Sequence, residues 1–143
     1  LGRHLEYTTY DQAVGHLLTT VLGFDIQSID EVATSLEKFG TRYTRRLYTC
    51  HEVECCGESP SSEARSYAER FAAKEAVLKL LDVREVIPSW KDIEVRRTAR
   101  ALPEVVLYGV AAELASQQGI GKISLSISHD GGFAVAIAVA EQR

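Results

Sequence analysis

RFAAKEAVLK, residues 70–79, is the stretch whose reading decides the fold. Ala, Glu, Lys and Leu are good helix formers, and no Gly or Pro interrupts the chain from Ala64 to Leu81, so a long helix is predicted there. At 3.6 residues per turn, Ala64, Ala68, Phe71, Ala72 and Leu78 fall on one stripe that should face the core. Glu75 lands in the middle of that stripe, and Lys79, four residues on, can reach it. Buried charge is costly unless it is paired or holds a metal. Taken alone, the two read as a structural Glu–Lys pair at the edge of a core.

Two other segments bear on that reading. In VLGFDIQSIDEV, Val21 to Val32, the residues Val21 to Ile26 read as a short buried strand. Alternation puts Leu22, Phe24 and Ile26 on one face and Val21, Gly23 and Asp25 on the other. Asp25 is therefore an acid near the end of an apolar strand. Ser28 is placed to cap the following helix, with Glu31 as its capping-box partner. In KISLSISHDGGFAVAIAVA, Lys122 to Ala140, Ile123, Leu125 and Ile127 alternate with serines, and Phe133, Val135, Ile137 and Val139 with four alanines. Asp130-Gly131-Gly132 supplies turn chemistry, so a hairpin is predicted, with His129 where its first strand runs into the turn.

At 143 residues, with 45% hydrophobic and 25% charged residues, the chain is long enough for one domain with a real core. A net charge of −4 argues against general nucleic-acid binding. No apolar run is long enough to span a bilayer and no signal-peptide pattern opens the chain, so a cytoplasmic location without membrane association is expected. Methionine is absent, position 1 included, as expected of a chain processed, trimmed or excised from a longer one. Cys50, Cys55 and Cys56 lie near His51, Glu52 and Glu54, but no second matching pair completes a zinc pattern. Reduced thiols in a loop are expected there.

Asp11 is placed to cap a short helix carrying Val14, Leu17 and Leu18. Helix is predicted from about Ser28 to Phe39, stopped by Gly40, and Arg42, Arg45 and Arg46 form a basic patch with Tyr43 and Tyr48. Gly57 to Ser62 read as a loop, Asp92 to Arg97 and Val105 to Tyr108 as strands, and Ala111 to Gln118 as helix. Strands and helices mix without regular βαβ alternation. The predicted class is α+β, a mostly antiparallel sheet packed against a long helix.

The three segments resemble, in order and approximate spacing, the three motifs of phosphopantetheinyl transferases. These are a G-[apolar]-D-[apolar] strand, an F-A-A-K-E-A-x-x-K helix and an S-[apolar]-S-H strand end. The likeness is to the short, holo-acyl-carrier-protein synthase type, and it covers about Leu22 to Ala140, with residues 1–20 an extension of a single domain over 1–143. The resemblance implies transfer of phosphopantetheine from coenzyme A to a serine of an apo acyl or peptidyl carrier protein, with Mg²⁺ as cofactor. By resemblance Asp25 and Glu75 are the metal ligands, and Lys79 contacts the diphosphate. His129 helps bind a coenzyme A phosphate, and Arg70 and Lys74 add phosphate contacts. The base that takes the serine proton is Glu75 or a metal-bound water. A homotrimer with sites shared between neighbours is also implied. Two other readings use the same residues: a non-catalytic carrier-protein or coenzyme A-binding module, and a metal-dependent nucleotide diphosphate hydrolase.

The chain departs from the family pattern in places. The arginine usual six positions beyond the motif aspartate, where the acidic carrier docks, is Glu31 here, with Asp30 before it. A glycine-rich turn after the motif lysine is replaced by Leu80-Leu81-Asp82-Val83-Arg84, and the usual G-x-P by Ala101-Leu102-Pro103. The pattern is that of a divergent transferase serving a specialised carrier or a domain of a larger synthase.

Overall fold

The computed structural model describes residues 18–143; the short helix expected behind Asp11 lies outside the described residues. Five strands form one antiparallel sheet in the order β1-β5-β4-β3-β2. They are β1 (Thr19–Ser28), β2 (Ile93–Arg97), β3 (Pro103–Leu107), β4 (Ser124–Asp130) and β5 (Phe133–Gln142). Between β1 and β2 lie four helices, α1 (Ile29–Phe39), α2 (Thr41–Leu47), α3 (Cys50–Gly57) and α4 (Glu63–Leu80), and α5 (Gly109–Gln117) follows β3. The expected α+β class and terminal hairpin are both present, the hairpin turning through Gly131 and Gly132 at positive φ.

Register explains how the sheet meets α4. Gly23 stands opposite Ala138 and Asp25 opposite Ala136 on β1 and β5, and Leu125 and Ile127 face the same two alanines from β4. This face is covered by α4, and Ala134, Ala136 and Ala138 are fully buried. Small side chains let a helix backbone approach a sheet closely. At Gly23 the approach is extreme: a Cβ there would lie 1.8 Å from the Ala76 carbonyl oxygen. The opposite face carries Leu22, Phe24, Ile26, Phe133, Ile137 and Val139, all exposed.

Two expectations are corrected. The buried stripe of α4 is Ala68, Ala72, Ala73, Ala76, Val77 and Leu80, rotated from the one predicted, and Ala64, Phe71, Glu75 and Leu78 lie at its flank. The closest packing selects the smallest residues, whereas the prediction weighted the large ones; Phe71 instead stacks on Trp90, 5.1 Å between ring centroids. Residues 50–57, expected as loop, are helix. Thr49 caps it, accepting from the Glu52 amide while the Glu52 carboxylate accepts from the Thr49 amide. At α1 only half of the expected box forms, with Ser28 Oγ accepting from the Glu31 amide. Ala101 keeps a φ of 59°, the left-handed conformation suited to the glycine usual there.

Gly23→Ala is expected to destabilise the fold by about 1–3 kcal/mol or more, because backbone rather than a side-chain tip must give way. Urea unfolding of the two proteins checks this. A variant of unchanged midpoint would show that α4 can lift from β1 at no cost.

Candidate active site

β1 presents Asp25 on the α4 side of the sheet, two residues beyond the contact at Gly23. Asp25 as a residue is only 9% exposed. Lys79 Nζ, from the last turn of α4, donates to Asp25 Oδ1 at 2.9 Å and to the Phe24 carbonyl at 2.9 Å. Gln27 Nε2 donates to Asp25 Oδ2 at 2.6 Å. Lys79 therefore pairs across the helix–sheet contact with Asp25, not along the helix with Glu75 as its spacing suggested. The hydrogen bond to Asp25 holds the Lys79 ammonium above its ordinary pKa range.

Glu75 is half-buried beside this pair, and its carboxylate has no hydrogen-bond or ion-pair partner among the described residues. Burial raises its pKa, the Asp25 carboxylate raises it further, and Lys79 partly opposes both. Two carboxylates repel across a space in which one ammonium is the neutralising charge. Such a site favours an added cation. Among the described residues no group of three or more His, Cys, Asp or Glu could hold a metal. A pair of carboxylates suits Mg²⁺, which completes its octahedron with waters and phosphate oxygens.

The second half of the site lies one row along the sheet and two strands away. Gln27, Ala134 and His129 share a row, next to that of Asp25, Ala136 and Ile127. Strand spacing places Asp25 and His129 roughly 12 Å apart at the backbone. His129 Nδ1 lies 2.9 Å from Glu69 Oε1 of α4. Arg97, at the end of β2, reaches Glu69 Oε2 at 3.4 Å, and Arg65 stands 3.9 Å from Oε1. The sequence reading missed Glu69. Its one signal was an acid set in the alanine-rich half of the motif helix, the same signal that singled out Glu75.

Lys74 does not join either group. Its side chain is 0% exposed, paired with Glu52 at 2.8 Å, and donates to the carbonyls of Trp90 and Ile93. Burial lowers its pKa and Glu52 opposes this. With its charge satisfied inside the protein, the expected phosphate contact from Lys74 does not form; the residue fastens α3 and β2 to α4. Arg70 is also buried, but its guanidinium is not saturated: Nη1 donates to the Ser66 carbonyl at a long 3.4 Å, and Nε has no partner among the described residues. The three cysteines are free thiols, and burial pushes Cys56 up to about 12. No described helix is long and apolar enough to cross a membrane.

A family model described as the 4′-phosphopantetheinyl transferase superfamily matches residues 21–138. The chain is 43% identical over 122 residues to a holo-[acyl-carrier-protein] synthase of Geobacter metallireducens, covering 84% of this chain and 95% of that one. Its fold is similar to the crystal structure of the Plasmodium yoelii holo-ACP-synthase, with a TM-score of 0.76 and 29% identity, over 90% of this chain and 99% of that one. It is also similar to the Helicobacter pylori holo-[acyl-carrier-protein] synthase in complex with coenzyme A. There the TM-score is 0.72 and the identity 31%, over 83% of this chain and 98% of that one.

The raised pKa of Glu75 has a consequence for stability. Its ionised form is disfavoured in the fold, so the folded state loses stability as pH rises through its titration. Glu75→Gln removes that cost. Without added metal, the variant is expected to melt at or above the temperature of the parent at neutral pH, with the difference shrinking as pH falls. Thermal unfolding at two pH values checks it; a lower midpoint at neutral pH would mean the carboxylate makes a stabilising contact.

Proposed function

This chain belongs to the 4′-phosphopantetheinyl transferase superfamily, and from that premise we propose that it transfers phosphopantetheine from coenzyme A to a serine of an apo acyl carrier protein. The observation that carries the reading is the pairing of Asp25 with Lys79 beside an unpartnered Glu75. Acids and an ammonium on one wall suit a diphosphate, and His129 with its cationic neighbours suits a further phosphate of the same ligand.

In the reaction the serine oxygen forms a bond to the β-phosphorus and the bond to adenosine 3′,5′-bisphosphate breaks. Negative charge gathers on the phosphoryl oxygens, so fixed positive charge lowers the barrier. Lys79 supplies it from one helical turn beyond Glu75. Asp25 and Glu75 are the residues that would hold Mg²⁺, whose chemistry when bound is to neutralise diphosphate oxygens. The serine proton would pass to Glu75 or to a water held by the metal. Arg70 is buried and its unpartnered Nε faces the interior, so a phosphate contact from it would need the side chain to swing outward.

The same reading includes a homotrimer and a cytoplasmic location. The trimer is supported by the outer sheet face, where Leu22 is 64% exposed and Ile26 52%; contiguous exposed apolar surface marks interaction sites. The carrier would meet the α1–α2 surface. Asp30 and Glu31 occupy the exposed first turn of α1. Farther along, a groove of about 540 Å³ is lined by Ser35, Phe39, Arg42, Tyr43, Arg46 and Trp90. Asp30 and Glu31 would repel an acidic recognition helix at the start of α1, favouring a carrier less acidic than the standard one, or one tethered in the same chain.

Mass spectrometry of apo-carrier proteins incubated with coenzyme A and Mg²⁺ tests the function. One phosphopantetheine gained on serine supports it, whereas release of free phosphopantetheine would identify a hydrolase. Asp25→Asn and Glu75→Gln are each expected to reduce transfer by about 100-fold or more with the fold intact. Lys79→Ala should lower turnover per folded molecule by a similar factor, of the order seen when one electrostatic donor is lost.

Glu31→Arg should improve the apparent affinity for a standard acidic carrier while leaving that for coenzyme A unchanged. Rapid, salt-insensitive modification of such a carrier by the unmutated protein would show that Asp30 and Glu31 stand outside the docking surface.

A further inference from the structure

Glu69 is a carboxylate only 8% exposed, six residues before Glu75, and it is the point at which three separate elements meet. It holds His129 from β4 at 2.9 Å, Arg97 from β2 at 3.4 Å, and Arg65 from its own helix at 3.9 Å. A carboxylate acceptor at hydrogen-bond distance from Nδ1 requires a proton on that nitrogen, whether the ring is neutral or charged. Its other nitrogen, Nε2, has no partner among the described residues, and the His129 side chain is 46% exposed. A histidine ring with one nitrogen anchored to a buried acid and the other open is fixed in tautomer and orientation, as second-shell carboxylates fix metal-binding histidines.

We propose that Glu69 is a positioning residue for the phosphate-binding end of the site, accepting from Nδ1–H of His129 so that Nε2 is the nitrogen turned to the ligand, where in the imidazolium form it donates to a phosphate oxygen. This rests on the transferase reading for its ligand, coenzyme A. Arg97 and Arg65 are held by the same acid, so one side chain of α4 sets the geometry of the cationic cluster. The acid is drawn from the helix that also carries Glu75 and Lys79, and the two halves of the site are thereby indexed to one rigid element. The opposite role, an internal counter-ion that a ligand phosphate must displace, predicts tighter coenzyme A binding once the acid is removed.

The test has two arms. In ¹⁵N spectra of the histidine rings, taken on the protein alone over a pH series, the neutral His129 ring should show the Nδ1–H tautomer. Glu69→Ala should convert it to the Nε2–H form, and an unchanged spectrum would overturn the proposal. In the transfer assay, Glu69→Ala should raise the KM for coenzyme A about tenfold while kcat changes less than about threefold. In a His129→Ala background the same substitution should add nothing. An equal effect in that background, or a KM that is unchanged or lowered, would overturn it.

Glu69→Gln keeps an oxygen acceptor for Nδ1–H and carries the test should the alanine variant not fold. It should retain the tautomer and keep KM within about threefold of the parent; a rise as large as that expected for alanine would overturn the proposal by making charge, not ring orientation, the agent. If the unmutated protein transfers nothing, the transferase reading fails while the nitrogen spectra still decide the role of Glu69.

Discussion

The contact between the backbone of α4 and the backbone of β1 at Gly23 is the constraint on which the rest of the structure depends. Where a Cβ would meet the Ala76 carbonyl at 1.8 Å, no residue but glycine allows the helix to lie so low. The stripe of Ala134, Ala136 and Ala138 on the neighbouring strand continues the same flat seat. Low seating is what brings an ammonium at the end of α4 within 2.9 Å of a carboxylate rising from the sheet. A helix resting on leucines would stand farther off, and the pair would not close.

The two flanks of α4 use charge in opposite ways. On one flank Lys74 and Glu52 are wholly buried and mutually satisfied, with further hydrogen bonds from Val95 and Thr49 to the carboxylate. Removing either partner would strand a charge in the interior, which is strongly destabilising. On the other flank Asp25, Glu75 and Lys79 leave two negative charges against one positive. Burial first, and then the Asp25 carboxylate, raise the pKa of Glu75. The satisfied pair fastens the helix in place, while the other flank keeps a carboxylate with no partner among the described residues. A site kept short of its own counter-charge costs stability, as functional sites commonly do.

Asp25, Glu75, Lys79 and His129 all stand on β1, α4 and β4, elements whose mutual placement is set by the sheet register and the Gly23 contact. Glu31 and the α2 arginines stand on exposed helix surface, where substitution disturbs no packing. Surfaces of this kind change partner preference without changing chemistry, because opposite charge steers encounter and like charge rejects it. Ala101 holds a φ of 59°, a conformation glycine adopts at less cost.

Local pattern in the sequence was enough to determine the long helix, the terminal hairpin, the alternation of β1 and β5 and Asp25 on the inner face of β1, but not the face of α4 and with it the place of Glu75. Each follows from a period of 3.6 or 2 and from charge placed against it. The α3 helix was also legible in Thr49 and Glu52, a capping pair that the neighbouring cysteines obscured. The partners of those charges were decided by tertiary structure alone. Lys79 and Glu75 are four residues apart, yet the ammonium goes to Asp25, 54 residues away, because the sheet passes beneath it. Lys74 and Glu69 both sit on the motif helix as charged residues, and sequence spacing cannot separate them. One faces Glu52 and backbone carbonyls in the interior; the other faces His129 and two arginines at the mouth of the site. A helix specifies the direction in which a side chain leaves its axis, and only the packing of sheet and helices specifies what lies there.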